Sequence, residues 1–434
     1  MMLTTKTLGR DAGCVVMSLG AVMFDPSGKD AQAPYRPDHQ LYAPISGFDS
    51  ANHNLKSDMD TLRWWKKQSA WPAISEEFTD SNISVEAACM MFDRFIAEQK
   101  PEKIWCNSPR FHVPILSALF SKAGMALPFG YRSQMDCRTA LELAYGTREM
   151  RPAVSLRHGF YRHHALGDAI SQAESVIRAL RDIRESPSPL LDQQRWMMVD
   201  IETLGMKPGD SIISIGASVF NASNDLKIIG NVDSHFYRVL SLFDLNNHGF
   251  QSDDVTLKWW KEKAIWKSLL AQTRDSNVGA RKACEDFGHY ITKEAKPDKI
   301  WANSPSFDLE MLRYMFRKML VPFPIHYKEE MDFRTLMELT YPVRESRPAR
   351  IFSGFNVEHH ALGDSIEQSF QATRALHTLG LSKESAPLNE KAQHHMAALV
   401  ETVEARQQER ENAQKATSFI KTLPKAVAKR SPRL

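Results

Sequence analysis

Short apolar runs rich in β-branched residues alternate along this chain with longer stretches whose apolar positions recur every three to four residues. Met197 to Ile201 and Ile212 to Phe220 are two such runs, and the turn residues Gly205, Pro208 and Gly209 between them predict a buried hairpin. A third strand is expected over Ser234 to Val239 and a fourth over Lys299 to Ala302. Helical spacing predicts helices over Val255 to Leu270, Gly279 to Lys293, Leu309 to Lys318, Thr335 to Thr340 and Ala361 to Leu376. A strand meander followed by helices interleaved with further strands predicts an α/β domain with a mixed sheet covered by helices.

The pattern occurs twice. MMLTTKTLGRDAGCVVMSLGAVMF at the start matches MMVDIETLGMKPGDSIISIGASVF from Met197, and TLRWW at Thr61 matches TLKWW at Thr256. KPEKIWCNSPRF at Lys100 matches KPDKIWANSPSF at Lys296, QMDCRT matches EMDFRT, and HHALGD occurs at His163 and His359. One domain is therefore present in two copies, so each copy serves as a control on the other. Between them, Glu185-Ser186-Pro187-Ser188-Pro189 breaks helices and reads as a stiff linker. The expected division is a first domain over 1–185, a linker over 186–194, a second domain over 195–381, and a tail over 382–434. In that tail Ala392, Met396, Leu399 and Val403 predict one amphipathic helix, and 413–434 carries lysines and arginines with no acid.

With 434 residues, 43% hydrophobic and 25% charged, the chain can bury proper cores, which excludes disorder, collagen-like repeats and a disulfide-stapled miniprotein. The +3 balance of 55 basic and 52 acidic residues neither demands nor excludes a polyanionic partner. Five cysteines (Cys14, Cys89, Cys106, Cys137, Cys284) without a CxxC pair fit reduced, buried thiols and a cytoplasmic setting. The start lacks a signal-peptide pattern, and no apolar run approaches the roughly 18 residues of a spanning helix, so no membrane is expected as a partner.

The candidate chemistry lies in the second copy. Asp200 and Glu202, two residues apart at a strand end, point to one face of the sheet among apolar neighbours. Buried together they repel, so a cation is expected between them, and oxygen-only ligands suit Mg²⁺ or Mn²⁺. Asp308 follows a strand and sits at a helix start signalled by Ser304 and Pro305, where capping is the simpler role. His359-His360-Ala361-Leu362-Gly363-Asp364 opens the last helix with an imidazole on the entering loop and an acid one turn in.

Taken in order, Asp-x-Glu, the later Asp and His-x-Ala-x-x-Asp resemble the three exonuclease motifs of the DEDD superfamily, in its histidine-bearing, DnaQ-like branch. The TLKWW helix, the Trp-x-Asn-x-x-x-Phe-Asp block and Asp332-Phe333-Arg334-Thr335 look most like phage-type exonucleases and bacterial 3'-5' exoribonucleases, which suggests a phage or prophage origin. The resemblance implies two RNase H-like domains. It also implies a 3'-5' exonuclease acting on single-stranded DNA or RNA 3' ends, with Asp200, Glu202, Asp308 and Asp364 holding two Mg²⁺ or Mn²⁺ ions and His359, five residues before Asp364, as general base. That set suits phosphodiester hydrolysis: two metals activate water and cover the leaving oxygen, and an imidazole takes a proton near neutral pH.

The first copy has Thr4, Lys6 and His112 where the second has Asp200, Glu202 and Asp308, while His163 and Asp168 remain. Lys6 is expected to pair with Asp168, making residues 1–185 a pseudo-nuclease. The WW pairs, Trp71 and Trp266, and the Asp-x-Arg-Thr segments (Asp136, Arg138, Thr139; Asp332, Arg334, Thr335) persist in both copies, which favours structural roles for them. The competing reading is a non-catalytic nucleic-acid-binding or assembly module built on a pseudo-dimer, with contacts through the first domain and the basic tail. A small-molecule phosphodiesterase is a third.

Overall fold

In the computed structural model, residues 1–146, 160, 162–187, 194–222, 230–350, 359–382, 394, 396–406 and 409 are described, and the structural statements below concern these residues. Two five-stranded sheets are present, each with its first strand in the middle, its second and third to one side and its fourth and fifth to the other. The first is built from β1 (Met2–Thr7), β2 (Val16–Val22), β3 (Gln40–Pro44), β4 (Ile104–Cys106) and β5 (Gln134–Asp136). The second repeats it with β6 (Trp196–Thr203), β7 (Ile212–Phe220), β8 (His235–Val239), β9 (Lys299–Ala302) and β10 (Glu330–Asp332). In each, the first three strands form an antiparallel meander and the last two run parallel to the first. These are the mixed, helix-flanked sheets expected of two RNase H-like domains.

The local pattern accounts for most elements. β7 is buried at every position, as a central strand covered on both faces must be. The helix Ala361–Thr378 presents Leu362, Ile366 and Phe370 to the core. One expectation is corrected, and one strand had not been expected. The helix predicted over Val255 to Leu270 is two helices, Asp254–Lys261 and Trp266–Asp275. The break between them lets Trp266 fold back and stack on Trp260 at 5.5 Å, which a continuous helix would forbid. The short strand β10 carries only one apolar residue, Met331, between Glu330 and Asp332, too few to show a period of two.

The two domains meet at their β5 and β10 edges through paired, pseudo-twofold contacts. The Asp136 backbone N–H donates to Thr335 Oγ1 (2.8 Å), and the Asp332 N–H donates to Thr139 Oγ1 (2.9 Å). Lys299 pairs with Glu142 at 2.7 Å and Lys103 with Glu338 at 2.6 Å. The persistence of Asp-x-Arg-Thr in both copies is thus explained: each Asp caps its own helix while each Thr satisfies a buried donor of the other domain.

Helix 396–406 packs Met396, Leu399, Val400 and Val403 into the shared core, and its Glu404 meets His360 Nε2 at 2.8 Å. Ala392, the linker residues Ser188 and Pro189, and the basic segment 413–434 lie outside the described residues. Among the described residues no helix is long and apolar enough to cross a membrane.

Candidate active site

β6 ends in Asp200 and Glu202, and the first turn of helix Ala361–Thr378 is laid across it. A glycine makes that approach possible. Gly216 of β7 is the antiparallel partner of Asp200, and a Cβ there would lie 2.1–2.3 Å from backbone atoms of Ala361 and Leu362. Gly20, opposite Thr4, has the same relation to Ala165. We expect Gly216→Ala to cost about 2–3 kcal/mol in denaturant unfolding, because backbone cannot give way as a side chain can. Gly20→Ala should cost a similar amount, but only the Gly216 change displaces the acid-bearing helix from Asp200.

With the helix seated, carboxylate oxygens of Asp200, Glu202 and Asp364 lie within 4.8 Å of one another. Asp308 opens the helix Asp308–Lys318, is 3% exposed, and leaves its buried Oδ2 without a hydrogen-bond partner. It stands outside the 4.8 Å group but close enough for its charge to act on Asp200 and Glu202. Burial pushes the carboxyl groups of Asp200 and Glu202 well above the usual range, and the neighbouring acids push them further. Asp308 is raised to about 7 by burial against the opposing Arg334. Asp364 is raised to about 6 by burial against Arg350. Two buried and two half-buried acids, with the unpartnered Asp308 Oδ2 among their oxygens, form an oxygen-only donor set whose charge fits a hard divalent ion.

Three further groups complete the site and were not signalled by the sequence. Gln368, one helical turn beyond Asp364, donates from Nε2 to Asp200 Oδ1 at 2.8 Å. Arg350 forms an ion pair with Asp364. Gly216 is the third, visible in sequence only as SLGA and SIGA at equivalent places.

The two histidines separate. His360 caps the helix by accepting from the Gly363 N–H at 3.2 Å and stacks on Tyr237 at 4.4 Å, so it is held within the fold. His359 sits at φ 61°, a left-handed conformation held by its own N–H donating to Asp364 Oδ2 at 3.1 Å. That turn sets its ring edge-on against Trp259, 4.8 Å away. Trp260 meets the structural expectation for the tryptophan pairs, its Nε1 donating to the Thr203 carbonyl at 2.8 Å, as Trp65 Nε1 does to the Thr7 carbonyl. Trp259 is 39% exposed and borders the site.

In the first domain the same scaffold carries different groups. Thr4 Oγ1 donates to the Ala165 carbonyl at 2.5 Å, and Thr5 Oγ1 lies 2.8 Å from His112 Nδ1. Lys6 pairs with Asp168, which puts an ammonium beside the one remaining acid. Burial, then the charges of Lys6 and Arg138, lower His112 to about 3, so it stays neutral. His163 keeps the left-handed turn at φ 69°, against Trp64 and Trp65.

Comparison with known proteins agrees with this duplication. The family described as the 3'-5' exoribonuclease Rv2179c-like domain matches residues 1–180 and again residues 195–376. No curated protein sequence matches the chain. Among solved structures the chain is similar to the nuclease domain of 3'hExo, a DEDDh family member, bound to rAMP. That similarity is 13% identity over 46% of this chain and 100% of that one, with a TM-score of 0.31.

Proposed function

The chain belongs to the 3'-5' exoribonuclease Rv2179c-like domain family through both of its halves, and from that premise we propose that it removes nucleotides from the 3' end of single-stranded RNA in its second domain only. The observation that carries the reading is the contrast between equivalent sites: Asp200, Glu202 and Asp364 converge with Asp308 nearby, whereas the first domain holds a Lys6–Asp168 pair. The domain division follows, with 1–185 as the degenerate copy, 186–194 as linker, 195–381 as the hydrolytic domain and 382–434 as helix and basic tail. The five cysteines are buried without disulfides, which supports a reducing cytoplasm as the setting.

Asp200, Glu202, Asp308 and Asp364 would hold Mg²⁺ or Mn²⁺. When bound, such ions supply a nucleophilic water at neutral pH and cover charge on the leaving 3' oxygen. The chain's own groups do the rest. Gln368 orients Asp200 through its amide, leaving the other carboxylate oxygen for a ligand. The His359 ring, fixed by the left-handed turn and by Trp259, accepts the proton of the attacking water at a ring nitrogen. Trp259 beside it is 39% exposed with the Lys263 ammonium 4.4 Å over its ring, and the pair offers the terminal nucleotide an aromatic ring and a cation.

The test uses matched RNA and DNA strands labelled at the 5' end, with free or phosphate-blocked 3' ends, under Mg²⁺ or Mn²⁺. The expected result is stepwise shortening of RNA from a free 3' end, ahead of DNA. Internal cleavage, or activity confined to dinucleotides, would overturn the reading and favour the small-phosphodiester alternative.

A further inference from the structure

The degenerate first-domain site remains an open cleft of about 1420 Å³, floored by Lys6 and walled on one side by the second domain. A site that had only lost its chemistry could close over with apolar side chains. This one is instead lined by seven lysines and arginines against Asp11, Asp168 and Glu310; with Glu330, which pairs with Arg110 and Arg313, counted as well, a formal excess of three positive charges remains. Lys6 is paired with Asp168, and the lining also holds Arg10, Arg138 and Arg162, with Trp64 and Tyr327 among them. Trp64 is 44% exposed at the cleft, and Tyr327, 42% exposed, carries the Arg138 guanidinium over its ring at 5.2 Å. Two polar atoms at the cleft, His163 Nε2 and Gln172 Oε1, are buried without hydrogen-bond partners.

We propose that this cleft is a second, metal-independent binding site for single-stranded nucleic acid, in which Lys6 takes a backbone phosphate where the active copy would place divalent ions. Lys6 has three donors and Asp168 takes one, which leaves the ammonium free to contact a phosphate oxygen. Arg10, Arg162 and Arg138, the last stacked on Tyr327, track the flanking phosphates, and Trp64 receives a base. The partner wall is the helix Asp308–Lys318: it carries the ligand residue Asp308 at its start, and its Arg313, Tyr314 and Arg317 line the cleft. A strand held here lies against the element that positions Asp308, which gives the degenerate copy a reason to stay fused to the active one.

The identity of the polymer rests on the function proposed above; the site itself does not, because the test runs without hydrolysis. The full chain carrying Asp200→Asn is titrated in EDTA against a fluorescent single-stranded RNA 12-mer, followed by anisotropy over a range of salt. A second protein adds Arg10→Glu and Arg162→Glu, two exposed changes on the rim. The expected result is binding by the first protein and at least about a tenfold loss in the second, with the salt slope reduced by roughly one to two units. Photocrosslinking of a 4-thiouridine strand should mark peptides around Trp64. Unchanged affinity and slope in the rim variant, or crosslinks confined to the second domain or to 410–434, would overturn the proposal whether or not the enzyme is active. No binding in EDTA would overturn it too.

Discussion

Asp200→Asn is expected to abolish hydrolysis and, in the same protein without metal, to raise thermal stability. The first effect follows from removing a ligand charge at the centre of the cluster: losing several kcal/mol of transition-state stabilisation is about a thousandfold in rate. The second follows from the electrostatics of the folded chain. Asp200 is pushed up by burial and by Asp364 and Asp308, so above its raised pKa it adds repulsion that the metal-free fold must bear. An amide of the same shape keeps the hydrogen bond from Gln368 and drops the charge. A relief of about 1 kcal/mol moves the melting temperature up by about 2–4 °C in a domain of this size. A substitution that merely damaged the fold would lower activity and stability together.

The largest effect on stability is expected from pH in the absence of metal. Asp308 is raised to about 7 and Asp364 to about 6, both above the 3.8 of an exposed aspartate. Their folded forms therefore keep protons that the unfolded chain releases, and stability must fall as pH rises between those values. The contribution is fully present below about pH 4 and is lost as pH passes through 6 and 7. For Asp308 alone the shift of about three units corresponds to about 4 kcal/mol, at 1.36 kcal/mol per unit. In chelator, the second domain should thus unfold at lower denaturant at pH 8 than at pH 5.5. Saturating Mg²⁺ or Mn²⁺ should restore about 3 kcal/mol at a hundred times its dissociation constant. Asp332 is also raised, to about 6, yet faces the domain seam, so metal should leave its share of the pH loss in place. Equal unfolding at the two pH values, or no response to metal, would remove the buried acid cluster from the account.

How far the sequence carried this reading depended on the range of the interactions. The hairpin β6–β7, the period-two placement of Asp200 and Glu202, and the acid on the final helix are local patterns, and the structure places them as expected. The Lys6–Asp168 pair was also legible, because two copies in register show which charge replaced which. What escaped was long-range. Gly216 is one strand glycine among many until the helix backbone is seen against it. Gln368 and Arg350 have no motif of their own and reach the acids only through the packing of the last helix and the loop before it. The Asp-x-Arg-Thr segments read as structural, and what the sequence did not show is that Thr139 and Thr335 act across the domain seam. The order of chemistry along the chain was readable; the close approaches that assemble it were not.

Catalysis by only one of the two equivalent folds is the expectation on which the other outcomes depend. It is tested most directly by single-turnover digestion of a 5'-labelled single-stranded RNA, at saturating enzyme and with Mg²⁺, by the unaltered chain, Asp364→Asn and Asp168→Asn. These two substitutions make the same change at equivalent positions of the two copies. The expected result is a rate near that of the unaltered chain for Asp168→Asn and about a thousandfold loss for Asp364→Asn. Equal losses in both, or full activity in Asp364→Asn, would contradict it.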